Sequence, residues 1–132
     1  MSMNRISLAF FGSAVLYALA GMLLSILIVA SHDHTLAPVG RHMDVLGWAS
    51  LAAMGAFYGI AGDLAPVRLA WTNLAVSNVG NLVALPVVAM QLRGETQGWA
   101  ALTAGQLLMT AGLVLFALAV LAVARRLPNT GA

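Results

Sequence analysis

Apolar residues dominate the chain in four long runs that contain no Asp, Glu or Arg. The runs cover 6–30, 45–62, 69–92 and 98–124, with lengths of 25, 18, 24 and 27 residues. A helix needs about 20 apolar residues to cross a bilayer core, and the second run reaches that length if its helix begins near Pro38, a favoured first-turn residue. The pattern therefore predicts an all-α integral membrane four-helix bundle that forms one domain over residues 1–132. We expect its helices at about 6–30, 37–62, 69–92 and 98–124.

The composition excludes several classes of protein. The chain is 61% hydrophobic and 8% charged, against about 45–50% and 25% for soluble domains. Its net charge is only +2 and it has no lysine, so a nucleic-acid-binding surface is not expected. It has no cysteine, which rules out disulfides, iron–sulfur clusters, thiolate metal sites and covalently attached haem.

The arginines predict how the bundle is oriented. With four spans, both termini lie on one side, together with four of the six arginines: Arg5, Arg68, Arg125 and Arg126. The opposite connections carry only Arg41 and Arg93. Positive residues favour the cytoplasmic side, so we expect cytoplasmic termini in an inner membrane. The connection at 31–44 would then face the periplasm.

The third helix has a polar stripe. At 100° per residue, one arc contains Asn73, Ser77, Gly80, Asn81 and Ala84, with Asn78 at its edge. Polar groups facing hydrocarbon need hydrogen-bond partners, so the stripe faces protein, water or a ligand. Two interpretations remain open. The stripe either bonds to Gln106, Thr103 or Thr110 of the fourth helix, or it lines a polar cavity with Gln106.

The histidines are the strongest functional signal, because all three lie within eleven consecutive residues. His42 lies about one turn into the second helix, and the small residues Ala49, Ala53 and Ala56 follow on the same face by helical spacing. A neutral imidazole above such a slot could be an axial ligand of a b-type haem, with Arg41 paired to a propionate. The alternative is an interfacial histidine bonded to backbone or water.

His32, Asp33 and His34 form a different pattern. A carboxylate with one histidine on each side suits copper or zinc. His42 could be a further ligand if the loop folds back. The alternative is a solvated loop without metal. The sequence contains no nucleophilic triad, phosphate loop or pair of membrane carboxylates.

Residues 31–48 resemble the segment that enters the second helix in small four-helix proteins related to subunit I of haem–copper oxidases. The resemblance is to the cbb3 and nitric oxide reductase branch, in which a His-x-His pair is followed by a hydrophobic residue, Asn or Asp, and Leu-Gly-Trp. In this chain the motif ends Met43-Asp44-Val45-Leu46-Gly47-Trp48, and Gly40 stands where the family has its first histidine. The resemblance implies that His42 corresponds to the ligand of the low-spin haem.

The same resemblance limits what one chain can do. No histidine follows His42, so the copper-site histidines on which oxygen or nitric oxide reduction depends in that family are missing, and an enzyme acting on its own is not expected. The family's low-spin haem takes two histidines from different four-helix groups. A homodimer or homotrimer could supply two copies of His42.

Two functions of different classes follow from the sequence. The first is an oligomeric haem b protein that acts in electron transfer or gas sensing. The second is a non-enzymatic accessory or structural subunit without haem, packed against itself or within a larger respiratory-type complex. A copper or zinc site at His32, Asp33 and His34 is a weaker third alternative.

Overall fold

The computed structural model describes residues 4–95 and 97–128, and this part of the chain is helical apart from short connections. It contains four helices long and apolar enough to cross a membrane: α1 (Arg5–Ser31), α2 (Ala37–Leu64), α3 (Val67–Leu92) and α4 (Trp99–Arg126). The four-helix prediction is confirmed, with ends that differ by no more than two residues from those expected. The chain is a multi-pass membrane protein whose outer surface is largely apolar; Ile60, for example, is 89% exposed.

Local chemistry sets the helix ends. Asn4 caps α1 by accepting a hydrogen bond from the Ser7 backbone N–H at 2.8 Å, as expected of a side-chain cap. The helix ends where His32 adopts a left-handed backbone with φ of 56°. Pro38 lies in the first turn of α2, and Gly62, with φ of 53°, marks its last turn. Gly98, at φ of 103°, precedes α4.

The second span differs from the uniform helix that its sequence predicts. Residues Met43–Ala49 form a π-helical segment, between α-helical residues Ala37–His42 and Ser50–Ala61. A π-helix carries one more residue per hydrogen-bonded turn, and such segments are frequent at functional sites. The segment rotates the faces that follow it, so α-helical spacing counted from His42 no longer identifies its neighbours.

The helices pack as two hairpins, α1 with α2 and α3 with α4. Small residues allow the close approach in both. A Cβ added to Gly55 would lie 2.9 Å from the Cβ of Phe10, and one added to Gly105 would lie 3.0 Å from the backbone nitrogen of Ala84. Close backbone approach through small residues is the usual way that membrane helices associate.

The two ends of the bundle are packed differently. Near the termini, an aromatic cluster joins three helices, with Phe10 5.0 Å from Tyr58 and Phe116 5.2 Å from Phe57 between ring centroids. Both Phe10 and Tyr58 are completely buried. Towards the 31–36 connection, α1 and α3 separate around an apolar groove of about 580 Å³. The aromatic cluster holds three helices together near the termini, whereas the apolar groove separates α1 from α3 towards the other end.

Candidate functional site

The polar stripe of α3 faces the bundle, as its spacing predicts. Ser77 is 6% exposed, Asn81 2% and Asn73 not at all, whereas Asn78 is partly buried at the edge. Its hydrogen-bond partners are not those expected on α4: the stripe is bonded to α2 and α1 and not to the threonines of α4. Thr103 and Thr110 donate instead to carbonyls of their own helix, those of Trp99 and Gln106.

Asn73 and Ser77 belong to a hydrogen-bonded chain in the centre of the bundle. The side-chain amide of Asn73 donates to the Tyr58 hydroxyl at 2.9 Å, and the Ser77 hydroxyl donates to Asn73 Oδ1 at 3.1 Å. Asn73 Nδ2 also lies 3.7 Å from the sulfur of Met54. These side-chain hydrogen bonds of Asn73 and Ser77 are made within the chain, and they connect α3 to α2.

Asn78 lies on the other side of the stripe. Its amide donates to the Ser13 hydroxyl of α1 at 3.3 Å and to the Leu74 carbonyl at 2.9 Å. It lines the apolar groove together with Ser13 and Tyr17. Asn73, Asn78 and Asn81 therefore do not share one cavity; only part of the predicted set does.

Ser77, Asn81 and Gln106 do line a common cavity of about 200 Å³ between α2, α3 and α4. The polar residues around it also include Ser50 and Thr110. Ser77 and Asn81 are buried, while Gln106 and Thr110 are exposed. The cavity thus runs from the bundle interior to an opening beside α4. Ser77 and Asn81 are the residues of the polar stripe that could contact a ligand there.

The π-helical segment explains why Asn81 faces this cavity. The Ser50 backbone N–H bonds to the Val45 carbonyl, five residues earlier, so the return to four-residue spacing passes over the carbonyl of Leu46. A passed-over carbonyl in a membrane needs another donor, and Asn81 Nδ2 supplies it at 3.4 Å. This leaves Asn81 Oδ1 buried without a hydrogen-bond partner. Nothing in the sequence indicates Leu46 or Ser50 at this cavity, because no residue type marks a π-helical segment.

His42 lies at the periphery of the bundle, at the same end as the connection 32–36. It is partly buried, and its Nε2 is buried with no hydrogen-bond partner. A cavity of about 340 Å³ lies beside it and is lined by Pro38, Arg41, His42, Val45 and Leu46. Arg41 is thus next to the imidazole, as the haem prediction requires.

The slot predicted below His42 is arranged differently from the expectation. Ala49, Ala53 and Ala56 are all exposed on the outside of the bundle. These residues therefore cannot enclose a flat group within a single chain. The π-helical segment begins directly after His42 and ends at Ala49, and it changes the rotation of these alanines relative to His42. An exposed strip of small residues faces lipid or a neighbouring molecule.

The residues present meet part of the requirement for a haem. An axial ligand needs an imidazole nitrogen that is not engaged elsewhere, and His42 Nε2 is such an atom. Arg41 provides a guanidinium beside it. The only other histidines, His32 and His34, are exposed in the connection after α1, so a haem with two axial histidines would need the second one from another copy of the chain.

The His32, Asp33 and His34 segment is exposed. Asp33 Oδ1 accepts hydrogen bonds from the Thr35 hydroxyl at 2.5 Å and from the Thr35 backbone N–H at 3.0 Å. These bonds, the hydroxyl first, hold the pKa of the Asp33 carboxyl below its ordinary value. Among residues 4–95 and 97–128, no three His, Asp or Glu side chains are grouped to hold a metal ion. The copper or zinc site with His42 as an additional ligand stays a prediction.

No family model, curated protein or solved structure matches this chain.

Proposed function

We propose that the chain is an oligomeric membrane protein in which His42 of neighbouring copies provides axial ligands to a b-type haem. The observation that carries the proposal is the buried, unpartnered Nε2 of His42 beside Arg41. Leaving a buried polar atom without a partner is costly, and coordination of a metal would satisfy it. The sequence resemblance to subunit I of haem–copper oxidases supports the same role.

The exposed strip of Ala49, Ala53 and Ala56 supports a site between copies and not within one. These residues lie on the outer surface of α2, where small side chains allow a second helix or a flat group to come close. His42 would hold the iron and Arg41 would pair with a propionate. The haem supplies one-electron chemistry or gas binding, and the protein orients it and excludes water.

We place the termini in the cytoplasm and the His32 to His42 segment on the periplasmic side of the inner membrane. The support is the distribution of arginines, four of which are at the end of the bundle that carries the termini. His42 would then lie near the outer surface, within reach of a periplasmic electron donor or of a dissolved gas.

A second candidate is an accessory or structural subunit that binds no haem. It is favoured by Asp44, whose side chain is exposed within the membrane-spanning α2 against Gly21 of α1. An ionisable group at such a position is expensive in lipid and favours a polar partner, and a larger complex could provide one.

Absorption spectra distinguish the two candidates. The full-length protein is purified in detergent and measured oxidised and dithionite-reduced, together with His42→Ala and, as a matched control, His34→Ala. A Soret band in wild type and in His34→Ala, absent from His42→Ala, supports the haem proposal. No band in the wild type, even after haem is added, refutes it and leaves the accessory role. A full band in His42→Ala shows that another group binds the iron.

A further inference from the structure

The central cavity between α2, α3 and α4 has no role in the proposed haem site. It contains the most deeply buried unpartnered acceptor of the part of the chain that the structure describes: Asn81 is 2% exposed and its Oδ1 has no hydrogen-bond partner. The orientation of the amide is fixed, because turning it over would place Oδ1 against the Leu46 carbonyl oxygen that Nδ2 now contacts. The oxygen is therefore the free atom.

The hydroxyl groups around the cavity have already used their hydrogens. The Ser50 hydroxyl donates to the Val45 carbonyl at 2.9 Å, the Ser77 hydroxyl to Asn73 Oδ1 at 3.1 Å, and the Thr110 hydroxyl to the Gln106 carbonyl at 2.9 Å. A hydroxyl has one hydrogen and two acceptor lone pairs. Each of these three oxygens is left with acceptor capacity only.

The cavity lies halfway along the membrane-spanning helices. Ser50, Asn81 and Thr110 are each within three residues of the centre of their helices. The π-helical segment of α2 ends at the same level, at Ala49. Interrupted helices with oxygen groups near the bilayer centre are the arrangement by which membrane transporters bind small cations.

We infer that this cavity binds a small monovalent cation, held by the neutral oxygens of Asn81, Ser50, Ser77 and Thr110. Gln106 at the opening can turn its side-chain oxygen towards the same ion. Neutral oxygens suit a monovalent ion, whereas Ca²⁺ and Mg²⁺ rely on carboxylates, and Asp and Glu do not line this cavity. A volume of about 200 Å³ leaves room for the ion with part of its hydration shell.

The inference is tested on the full-length protein in detergent by its melting temperature. Choline chloride is replaced by NaCl, KCl or NH₄Cl at constant ionic strength. We expect a saturable rise of about 3–6 °C at a concentration roughly tenfold above Kd for at least one small cation. Equal melting in all four salts means that the cavity holds only water and overturns the inference. A larger rise with CaCl₂ than with any monovalent salt also overturns it.

Variants tie the effect to the cavity. Asn81→Leu removes the free acceptor and should abolish the cation-dependent shift. Asn78→Leu is the matched control, because Asn78 lies on the same helix but lines the apolar groove, and it should keep the shift. If Asn81→Leu does not fold, Ser50→Ala removes one oxygen of the set and should raise the concentration needed for half the shift at least several-fold. An unchanged cation response in the cavity variant that folds contradicts the assignment.

Discussion

Gly47 lies so close to the ring of Tyr17 that a Cβ added to it would stand 2.5 Å from Tyr17 Cγ. The contact joins the π-helical segment of α2 to α1 and fixes how closely the two helices approach. It depends on the absence of a side chain at position 47.

Substituting Gly47 by alanine should therefore destabilise the protein. The added methyl group has to displace an aromatic ring or separate two helices, and such overpacking costs about 1–3 kcal/mol. Reversible unfolding in mixed detergent measures the loss. Gly12→Ala is the control, since nothing lies within 4 Å of a Cβ at Gly12, and it should leave stability unchanged. Equal stability of the two variants would show that α1 and α2 are not packed as described.

The hydrogen bond between Asn73 and Tyr58 should contribute measurably to holding α3 against α2. A double-mutant cycle with Asn73→Leu and Tyr58→Phe should give a coupling of about 0.5–1.5 kcal/mol, within the range measured for polar contacts between membrane helices. The free energy of unfolding of the four proteins is the measurement. A coupling near zero would mean that each group finds an equally good partner elsewhere.

The turn after α1 should depend on the charge of Asp33. Because the Thr35 hydroxyl and backbone N–H stabilise the carboxylate, the pKa of Asp33 lies below its ordinary value of 3.8. This stabilisation is complete above that ordinary value and is lost as the pH falls through the lowered pKa. An NMR titration of the Asp33 carboxyl should show the low pKa in wild type and a rise towards the ordinary value in Thr35→Val. An identical titration in both proteins would show that the Thr35 hydroxyl does not stabilise the Asp33 carboxylate.

The proposed orientation can be tested by cysteine labelling, because the chain has no cysteine of its own. A membrane-impermeant maleimide applied to intact cells should label Ser31→Cys and should not label Asp63→Cys until the cells are opened. The two exposed positions lie at opposite ends of the bundle. The reverse pattern would place the histidine segment in the cytoplasm.

Much of the fold follows from sequence because the bilayer imposes it. A span has to be long, apolar and internally hydrogen-bonded, so the charge-free runs, with Pro38 marking the start of the second helix, predict the four helices to within two residues at each end. The same constraint predicts the burial of Asn73, Ser77 and Asn81, since polar side chains on one face of a helix have to leave the lipid.

The choice of partners could not be predicted. An asparagine side chain can accept from a nearby donor through its oxygen and donate to a nearby acceptor through its NH₂ group. Helical spacing predicts which face of the helix it lies on but not which helix it contacts. Asn73 bonds to Tyr58 of α2, whereas the partners expected from the sequence all lie on α4. Ala49, Ala53 and Ala56 are exposed, although α-helical spacing predicts them on the same inward face as His42. The π-helical segment has one more residue per turn and rotates these alanines to the outside.

By itself the sequence determined a four-span membrane protein with a buried polar face on α3 and all its histidines at one end. Only the tertiary structure decided that His42 keeps an unpartnered nitrogen beside Arg41, and that Asn81 turns its amide to the Leu46 carbonyl and leaves its oxygen in a central cavity. The division has a physical cause. Membrane insertion depends on the local apolar length of each segment, whereas a cavity depends on how three helices meet and on a break in one hydrogen-bond ladder.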